Sequence, residues 1–575
     1  MNLFSEYKKK IINNLKKLEK KSIIKISDNI ESLTIDIPPK NQKGDISCNA
    51  ALILAKINNC SPLKLADVIK KDLILKFSEF KNIEIAGPGF INIYFNDDFW
   101  KSQLTNIIKL NSSYGSNKKK RKKYNIEFVS ANPTGPLHVG HCRGAVLGDT
   151  LANLLYFNGN KITKEYYVND YGAQVKNFVY SVYYRILEVT QNYSFPNKPD
   201  LYPGDYIIEI AKKILIEKTI KDFSNIEKIY KKLESESLKL SMELIKKNLK
   251  LLGIQHDKFV YESKLIQKKT VSKIVKKLKK NKYIYNGFLE APKGEKSKNW
   301  KTRNQLLFKS TLFGDDIDRP LQKADGTWTY FAGDMAYHSH KISRKFDVLI
   351  NVLGADHAGY IKRITSASKA ISKNKVNLIC KVSQLVKLFK NGQPFKMSKR
   401  KGNYITLEDL VNEVGKDSAR FMMLNRSNDV ELDFDFQKVT EKSKENPVFY
   451  VQYAYARINS IFRSLNLNLE TKIKLSNNKY ILNKYEIDIL KKISEWPRCV
   501  ELSSERLEPH RIPFYLYELV TLFHSYWTLG KDNKELRFIL ENNDINKLRL
   551  TLLQALGIVI KSGMAILGVS TPKSM

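Results

Sequence analysis

The residues best placed to do chemistry fall in two short clusters, PLHVGHCRG with His138, Gly140 and His141, and KMSKRKG from Lys396 to Gly402. His138 and His141 are three apart, so at a helix N-terminus both imidazoles face the same side. Unpaired backbone N–H groups and the helix dipole there favour phosphate, and Gly140 lets a nucleotide approach the main chain closely. Lys396 and Lys399 flank Met397 and Ser398 on a glycine-containing loop. Such a loop can fold over a triphosphate and stabilise charge developing on departing pyrophosphate. Each cluster has a plain alternative, a surface HxxH in one case and one more lysine run in a lysine-rich chain in the other. The Met-Ser core between the lysines argues against the second alternative.

The elements around these clusters suit that chemistry. YNIEFVSA, from Tyr124, reads as a buried strand, Pro133 and Pro136 mark a sharp turn, and a helix is predicted to begin near Leu137. Strand, turn and helix in that order indicate a parallel α/β nucleotide-binding sheet. Further strand-like runs occur at KEYYV, DVLINVLGA and LICKVSQLV, with a Lys- and Glu-rich helical insertion from about Lys176 to Leu306. Asn391-Gly392 between alternating flanks predicts a hairpin just before the lysine loop. Thr406 and Asp409 form a capping-box pattern just after it. Residues 1 to 112 read as a small α+β domain. It opens with a helix carrying Leu3, Phe4, Tyr7, Ile11, Leu15 and Leu18 on one face and ends in IEIAGPGFINIYF. SSYGSNKKKRKK reads as a linker. From Glu441 onward the pattern is that of a helical bundle, ending in LRLTLLQALGIVIKSGMAILG.

Composition adds bounds. A chain of 575 residues is too long for one core. Lys+Arg 98 against Asp+Glu 59 leaves a net charge of +39, which favours a polyanionic partner unless it reflects a general bias toward Lys, Asn and Ile. The five cysteines (Cys48, Cys60, Cys142, Cys380 and Cys499) show no paired spacing, which speaks against a disulfide framework or a zinc site. The N-terminus has no signal-peptide h-region, and no stretch of about 18 apolar residues is expected to span a membrane. A cytoplasmic protein is expected.

HVGH after a first strand and KMSKR after a late one resemble the two signatures, HIGH and KMSKS, of class I aminoacyl-tRNA synthetases. The surrounding EFVSANPTGPLHVGH, YYVNDYGAQ, TYFAGDMAYHSHK, GADHAGYIKR and ARFMMLNRSNDVELDFDF resemble the bacterial arginyl-tRNA synthetases, as do GDISCNAALILAK, FYVQYAYARI and LLGVSTPKSM. The resemblance covers essentially the whole chain and is weakest in the insertion. It implies an N-terminal α+β tRNA-binding domain (1–112), a Rossmann-type parallel-sheet catalytic domain with helical insertions (113–440) and an all-α anticodon-binding domain (441–575). It implies ATP-dependent loading of L-arginine onto tRNA-Arg by a monomer, with Mg²⁺ carried on the ATP phosphates and no dedicated metal site.

By the same resemblance, His138, Gly140, His141, Gly354, Asp356, Lys396, Met397, Ser398 and Lys399 would bind ATP. His138, His141, Lys396 and Lys399 would act on its phosphates. Glu127 and Asp334 would hold the guanidinium, with Tyr330 closing over it. Asn132 would bind the amino or carboxylate end, together with Asp356 or His357. Phe90 and Asn92 would meet the tRNA D-loop, and Tyr450 and Tyr453 the anticodon bases. Physical reasoning agrees on the substrate, because a planar cation with five donors needs carboxylates in a fixed fork.

Overall fold

The computed structural model describes residues 2–39, 41–117, 121–289, 303–395, 405–473, 481–539 and 546–575. The chain folds into two compact units. One holds Met1–Asn117, Lys442–Ile566 and Ser570–Met575, and the other holds Lys118–Glu441 with Leu567–Val569.

The first unit begins with the helix Leu3–Lys20, capped by Asn2, whose side chain accepts from the Phe4 and Ser5 amides. The predicted stripe is buried from Leu3 to Leu18, and Tyr7 packs on Phe80 and Phe95 of an antiparallel sheet. Its strands are β1 (Ile35–Asp36), β2 (Ile46–Cys48), β3 (Phe80–Ala86) and β4 (Phe90–Phe95), in the order β1-β2-β4-β3. The later part of the unit is a bundle of the helices Pro447–Ser464, Lys484–Ser494, Trp496–Arg506, Arg511–Asp532 and Lys547–Leu567. Early and late segments are joined directly: Trp496 Nε1 donates to Tyr114 O at 3.1 Å, and Lys491 pairs with Asp45 at 2.6 Å. The helix Lys547–Leu567 corrects one expectation. It is long and apolar enough to cross a membrane by length and composition, but 78% of its most apolar window is buried inside the protein. Leu552, Leu556, Val559 and Ile560 are core residues.

The second unit is built on a parallel sheet in the order β12-β11-β5-β6-β7. These strands are β5 (Lys123–Glu127), β6 (Lys161–Val168), β7 (Lys258–Tyr261), β11 (Val348–Gly354) and β12 (Asn377–Ser383). The first of them, β5, is flanked by β6 on one side and β11 on the other, so the strand order reverses there. In open parallel sheets ligands bind at that reversal, beyond the carboxyl ends of the strands. The helix Val139–Phe157 lies close against the end of β5. A Cβ on Gly148 would come within 2.2 Å of the Phe128 ring, so no larger residue fits there.

The insertion differs partly from expectation. Its helices Ala173–Gln191, Asp205–Glu217 and Ile226–Leu251 share a core of Phe178, Val182, Ile186, Ile207, Ile210 and Leu233. Short strands lie toward its end: β9 (Gln305–Phe308) pairs with β8 (Ile284–Gly287) on one side and with β10 (Arg319–Pro320), just beyond the insertion, on the other, in a small antiparallel sheet. Four-residue strands amid lysines leave too little alternation to be read. The predicted hairpin forms between β13 (Val386–Lys390) and β14 (Gln393–Pro394), with Asn391 and Gly392 at φ 53° and 72°. Two consecutive positive φ values are the geometry that Asn-Gly favours. The parallel pairing of β13 with β15 (Leu432–Asp435) has no counterpart in the sequence reading.

Candidate active site

The carboxyl ends of the parallel strands gather predicted residues (Glu127, Gly354, Asp356 and His357) with others that were not predicted. Glu127 ends β5, Asn169 and Asp170 follow β6, Glu262 follows β7, Gly354 ends β11, and Asp356 and His357 follow it. Asp356 and His357 are exposed and lie 3.3 Å apart. Asn132, on the loop after β5, donates to Gln174.

The two histidines stand at the N-terminus of the helix Val139–Phe157. His138 is its N-cap and accepts from the Gly140 amide at 3.1 Å through Nδ1, while His141 Nδ1 accepts from the His138 amide at 3.3 Å. The rings are 3.9 Å apart. A Cβ on Gly140 would meet the His138 ring at 2.8 Å, so glycine is what lets that ring fold over the helix end. Burial pushes the His138 pKa down, and burial together with His138 pushes His141 down to about 4. Both rings are therefore neutral at physiological pH, with the proton on Nε2, a donor suited to an anion.

The lysine loop from Lys396 to Lys399, with Met397 and Ser398, lies outside the described residues. Its exit does not: the Val139 amide donates to Ile405 O at 3.0 Å and the Leu407 amide to Leu137 O at 2.8 Å. The Thr406–Asp409 capping box forms as predicted, with the Asp409 amide 3.0 Å from Thr406 Oγ1. The chain leaving the lysine loop is thus hydrogen-bonded to the start of the histidine helix.

The helix Tyr330–Ser343 lines the other side of the site, with Asp334, Tyr337, His338 and Lys341 on one face. Asp334 accepts from the Tyr360 hydroxyl. Burial, then the nearby charge of Glu127, pushes its pKa up to about 6. Glu262 is pushed up to about 7 by burial and by the charges of Asp334 and Asp170. Among the described residues neither Asp334 nor Glu262 forms an ion pair. Glu127 differs: it pairs with Lys341 and accepts from Ser130 at 3.1 Å. Tyr330 is 79% exposed at the start of the helix.

Comparisons with known proteins bear directly on this arrangement. The class I (R) tRNA synthetase catalytic domain family matches residues 103–463, more than half of the chain. The arginyl tRNA synthetase N-terminal domain matches 5–95 and the DALR anticodon binding domain 451–575. The chain belongs to the arginyl-tRNA synthetase family. It is 54% identical to an arginine–tRNA ligase of Pelagibacter ubique and 43% identical to one of Roseobacter denitrificans, each covered over 100% of both chains. Among solved structures, it is similar to a Campylobacter jejuni protein assigned as an arginyl-tRNA synthetase, with 30% identity and TM-score 0.72. That match covers 84% of this chain and 100% of the other. The Thermus thermophilus arginyl-tRNA synthetase shares the fold at 18% identity and TM-score 0.72, over 100% of both chains.

The positions that the resemblance assigns to RNA contact lie in the first unit. Phe90 is half-buried at the start of β4, while Asn92 is 1% exposed and donates to Lys43 O at 3.0 Å. Tyr450 and Tyr453 share a face of the helix Pro447–Ser464 and pack on His524, at 4.2 and 5.8 Å between ring centres. Arg457 donates to the Tyr453 hydroxyl at 2.6 Å and lies over the Trp527 ring at 4.7 Å. Sequence reasoning missed Glu262, whose setting YESKL carries no pattern. It also missed Lys341, although Lys341 stands seven residues after Asp334, a helical spacing that puts the two on one face.

Proposed function

We infer that the chain joins L-arginine to ATP as arginyl-adenylate, then passes the arginyl group to the 3′ end of tRNA-Arg, releasing AMP and diphosphate. The observation that carries this reading is a pair of acids at the carboxyl end of the parallel sheet, Asp334 and Glu262, that form no ion pair among the described residues, beside a neutral histidine pair at a helix N-terminus. Two carboxylates there suit the planar guanidinium, and their mutual repulsion is relieved when it binds. Lysine, with a single ammonium, cannot satisfy both, which supports discrimination. Asp334 with Glu262, in place of Glu127, then holds the guanidinium, and Tyr330 closes over it. Asn132 and His357 face the amino-acid end, with Glu127 between.

No protein nucleophile is required. The arginine carboxylate attacks the α-phosphate in line, and the terminal ribose hydroxyl of tRNA later attacks the activated carbonyl, so catalysis is positioning plus electrostatics. His138 and His141 donate to phosphate oxygens through Nε2, and Gly140, Gly354 and Asp356 border the nucleotide. Lys396 and Lys399, with Met397 and Ser398 between them, close over the departing pyrophosphate. Among the described residues no cluster of His, Cys, Asp and Glu could hold a metal. Mg²⁺ would be carried on the ATP phosphates, where it would supply charge neutralisation. Phe90 stacks on a D-loop base, Asn92 supports it by holding the loop at Lys43, and Tyr450 and Tyr453 offer a surface to the anticodon bases. In this reading the chain works as a monomer in the cytoplasm, without a membrane partner.

Arginine-dependent ATP–pyrophosphate exchange, measured with and without tRNA-Arg and against the other amino acids, tests the reading. Exchange with arginine alone among the amino acids is expected, and it should appear only when tRNA-Arg is present. Absence of exchange with every amino acid, despite tRNA binding, would leave only an RNA-binding protein.

A further inference from the structure

Lys341 is fully buried at the centre of the second unit. Its ammonium meets the Glu127 carboxylate, Asn351 Oδ1 at 2.9 Å and the face of the Tyr337 ring at 4.5 Å. Each of these partners is itself fixed. The Tyr337 hydroxyl donates to Glu165 at 2.9 Å, and Glu165 is held by Arg344 at 2.6 Å and Asn125 at 3.0 Å. Asn351 Nδ2 lies 3.0 Å from His338 Nε2, and His338 Nδ1 lies 2.9 Å from Asp334 O. A carbonyl can only accept, so His338 donates through Nδ1 and accepts through Nε2. That assignment turns the Asn351 amide nitrogen to His338 and its oxygen to Lys341. The buried cation is therefore locked in place from the backbone of Asp334 itself.

A buried ion pair is rarely kept for stability, because an apolar pair of similar volume is often as stable or more so. What this pair changes is the charge pattern of the pocket. Without Lys341, a cationic substrate would meet acids at two places, Glu127 and the Asp334–Glu262 pair, and its guanidinium and α-ammonium could exchange ends. We propose that Lys341 is a specificity-positioning residue: it cancels the charge of Glu127, leaving one acidic end for the guanidinium and so fixing the direction in which arginine lies. Lys341 touches no reacting atom and acts through Glu127. The inference rests on arginine occupying this pocket as described above.

The test compares Glu127→Gln, Lys341→Met and the double variant, using arginine KM in tRNA-supported exchange and inhibition by citrulline, the neutral isostere of arginine. Glu127→Gln leaves the Lys341 charge unmatched. Arginine KM should then rise roughly ten- to a hundredfold, as expected for two like charges within several ångströms at an effective dielectric of about 20. Citrulline inhibition should change less than about threefold, on the same electrostatic ground. The double variant, which also keeps the fold testable if either single change unfolds the protein, should bring arginine KM back to within a few-fold of the parent. Equal weakening of arginine and citrulline, or no recovery in a folded double variant, would overturn the proposal. Glu262→Gln separates the two ideas: if it leaves arginine KM unchanged, the pocket reading itself fails.

Discussion

The second unit contains two clusters of charged side chains that differ in how their carboxylates are paired. In one, Asp149 is met by Lys164 and by Arg420, each at 2.6 Å, and Arg420 spends its remaining donors on Leu567 O at 2.7 Å and Leu252 O at 2.8 Å. Burial alone would raise the Asp149 pKa, yet the two cations hold it below the ordinary carboxylate range. In the other, Asp334 and Glu262 form no ion pair among the described residues; burial and the charge of Glu127 lift Asp334 to about 6, and burial with the charges of Asp334 and Asp170 lifts Glu262 to about 7. The first cluster has its carboxylate fully paired and joins parts of the fold. The unbalanced one is incomplete until a cation arrives. Charge left unpaired in a closed fold marks where a ligand belongs, more reliably than the presence of charge.

Removing Arg420 should give the largest effect. Arg420→Met strands two buried carbonyls and half of the Asp149 pairing, and it should cost about 3–5 kcal/mol of stability. Denaturant unfolding with and without arginine checks it: the loss should be the same in both. Asp334→Asn should do the reverse. Folding should be kept or slightly strengthened, since an uncompensated buried charge is removed. The kcat/KM for arginine should fall by about 2–5 kcal/mol of transition-state binding, as when one partner of a buried charge pair is truncated. If Asp334→Asn unfolds the protein while exchange activity of the folded fraction is normal, the two clusters are not different in kind.

Proton linkage sharpens the contrast. Asp334 and Glu262 have folded pKa values above their unfolded ones, so the empty protein is most favoured with both protonated, below about pH 4. That contribution is lost as pH rises through about 6 and about 7. Bound arginine requires the charged forms and restores what was lost. The rise in Tm on saturating with arginine should therefore grow between pH 5 and pH 8, and arginine KM should increase as pH falls below about 7, where the pair takes up protons. Asp149 has its pKa lowered and should contribute nothing across this window. A Tm increment independent of pH would remove the titrating pair from the site.

Much of this was legible in the sequence, for identifiable reasons. His138 and His141 meet at the helix start because a spacing of three makes them its N-cap and third residue, and Asn391-Gly392 forces its turn through backbone conformations that few residues accept. Asp334 was found through the surrounding motif. Glu262 was not, because a single acid after a short strand becomes meaningful only when β6 and β7 bring it beside Asp170 and Asp334. The pairing of Lys341 with Glu127 joins residues 214 apart, and the Trp496–Tyr114 contact joins residues 382 apart. No local pattern reports such separations. The short strands of the insertion fail for the opposite reason, since four residues carry too little periodicity.

The smallest effect concerns the turn that leads from β5 to the histidines. Val129 and Ser130 both have positive φ, 70° and 43°. That conformation is costly for a β-branched residue, on the order of 1–3 kcal/mol. The turn aims the Ser130 hydroxyl, which accepts from the Tyr167 amide at 3.1 Å and donates to Glu127 at 3.1 Å, so it sets the acid that Lys341 balances. Asparagine tolerates positive φ because its short polar side chain bonds locally. Val129→Asn should therefore stabilise the protein by about 1 kcal/mol, the lower end of that strain. Arginine KM should stay within about twofold, because the direction of the turn is retained. Thermal unfolding and exchange kinetics on the same variant separate the outcomes. A gain in stability with unchanged KM places the strain in the valine alone. A gain with raised KM would mean that the strained turn itself holds Glu127 to its position, and would extend the unbalanced cluster's preorganisation into the loop.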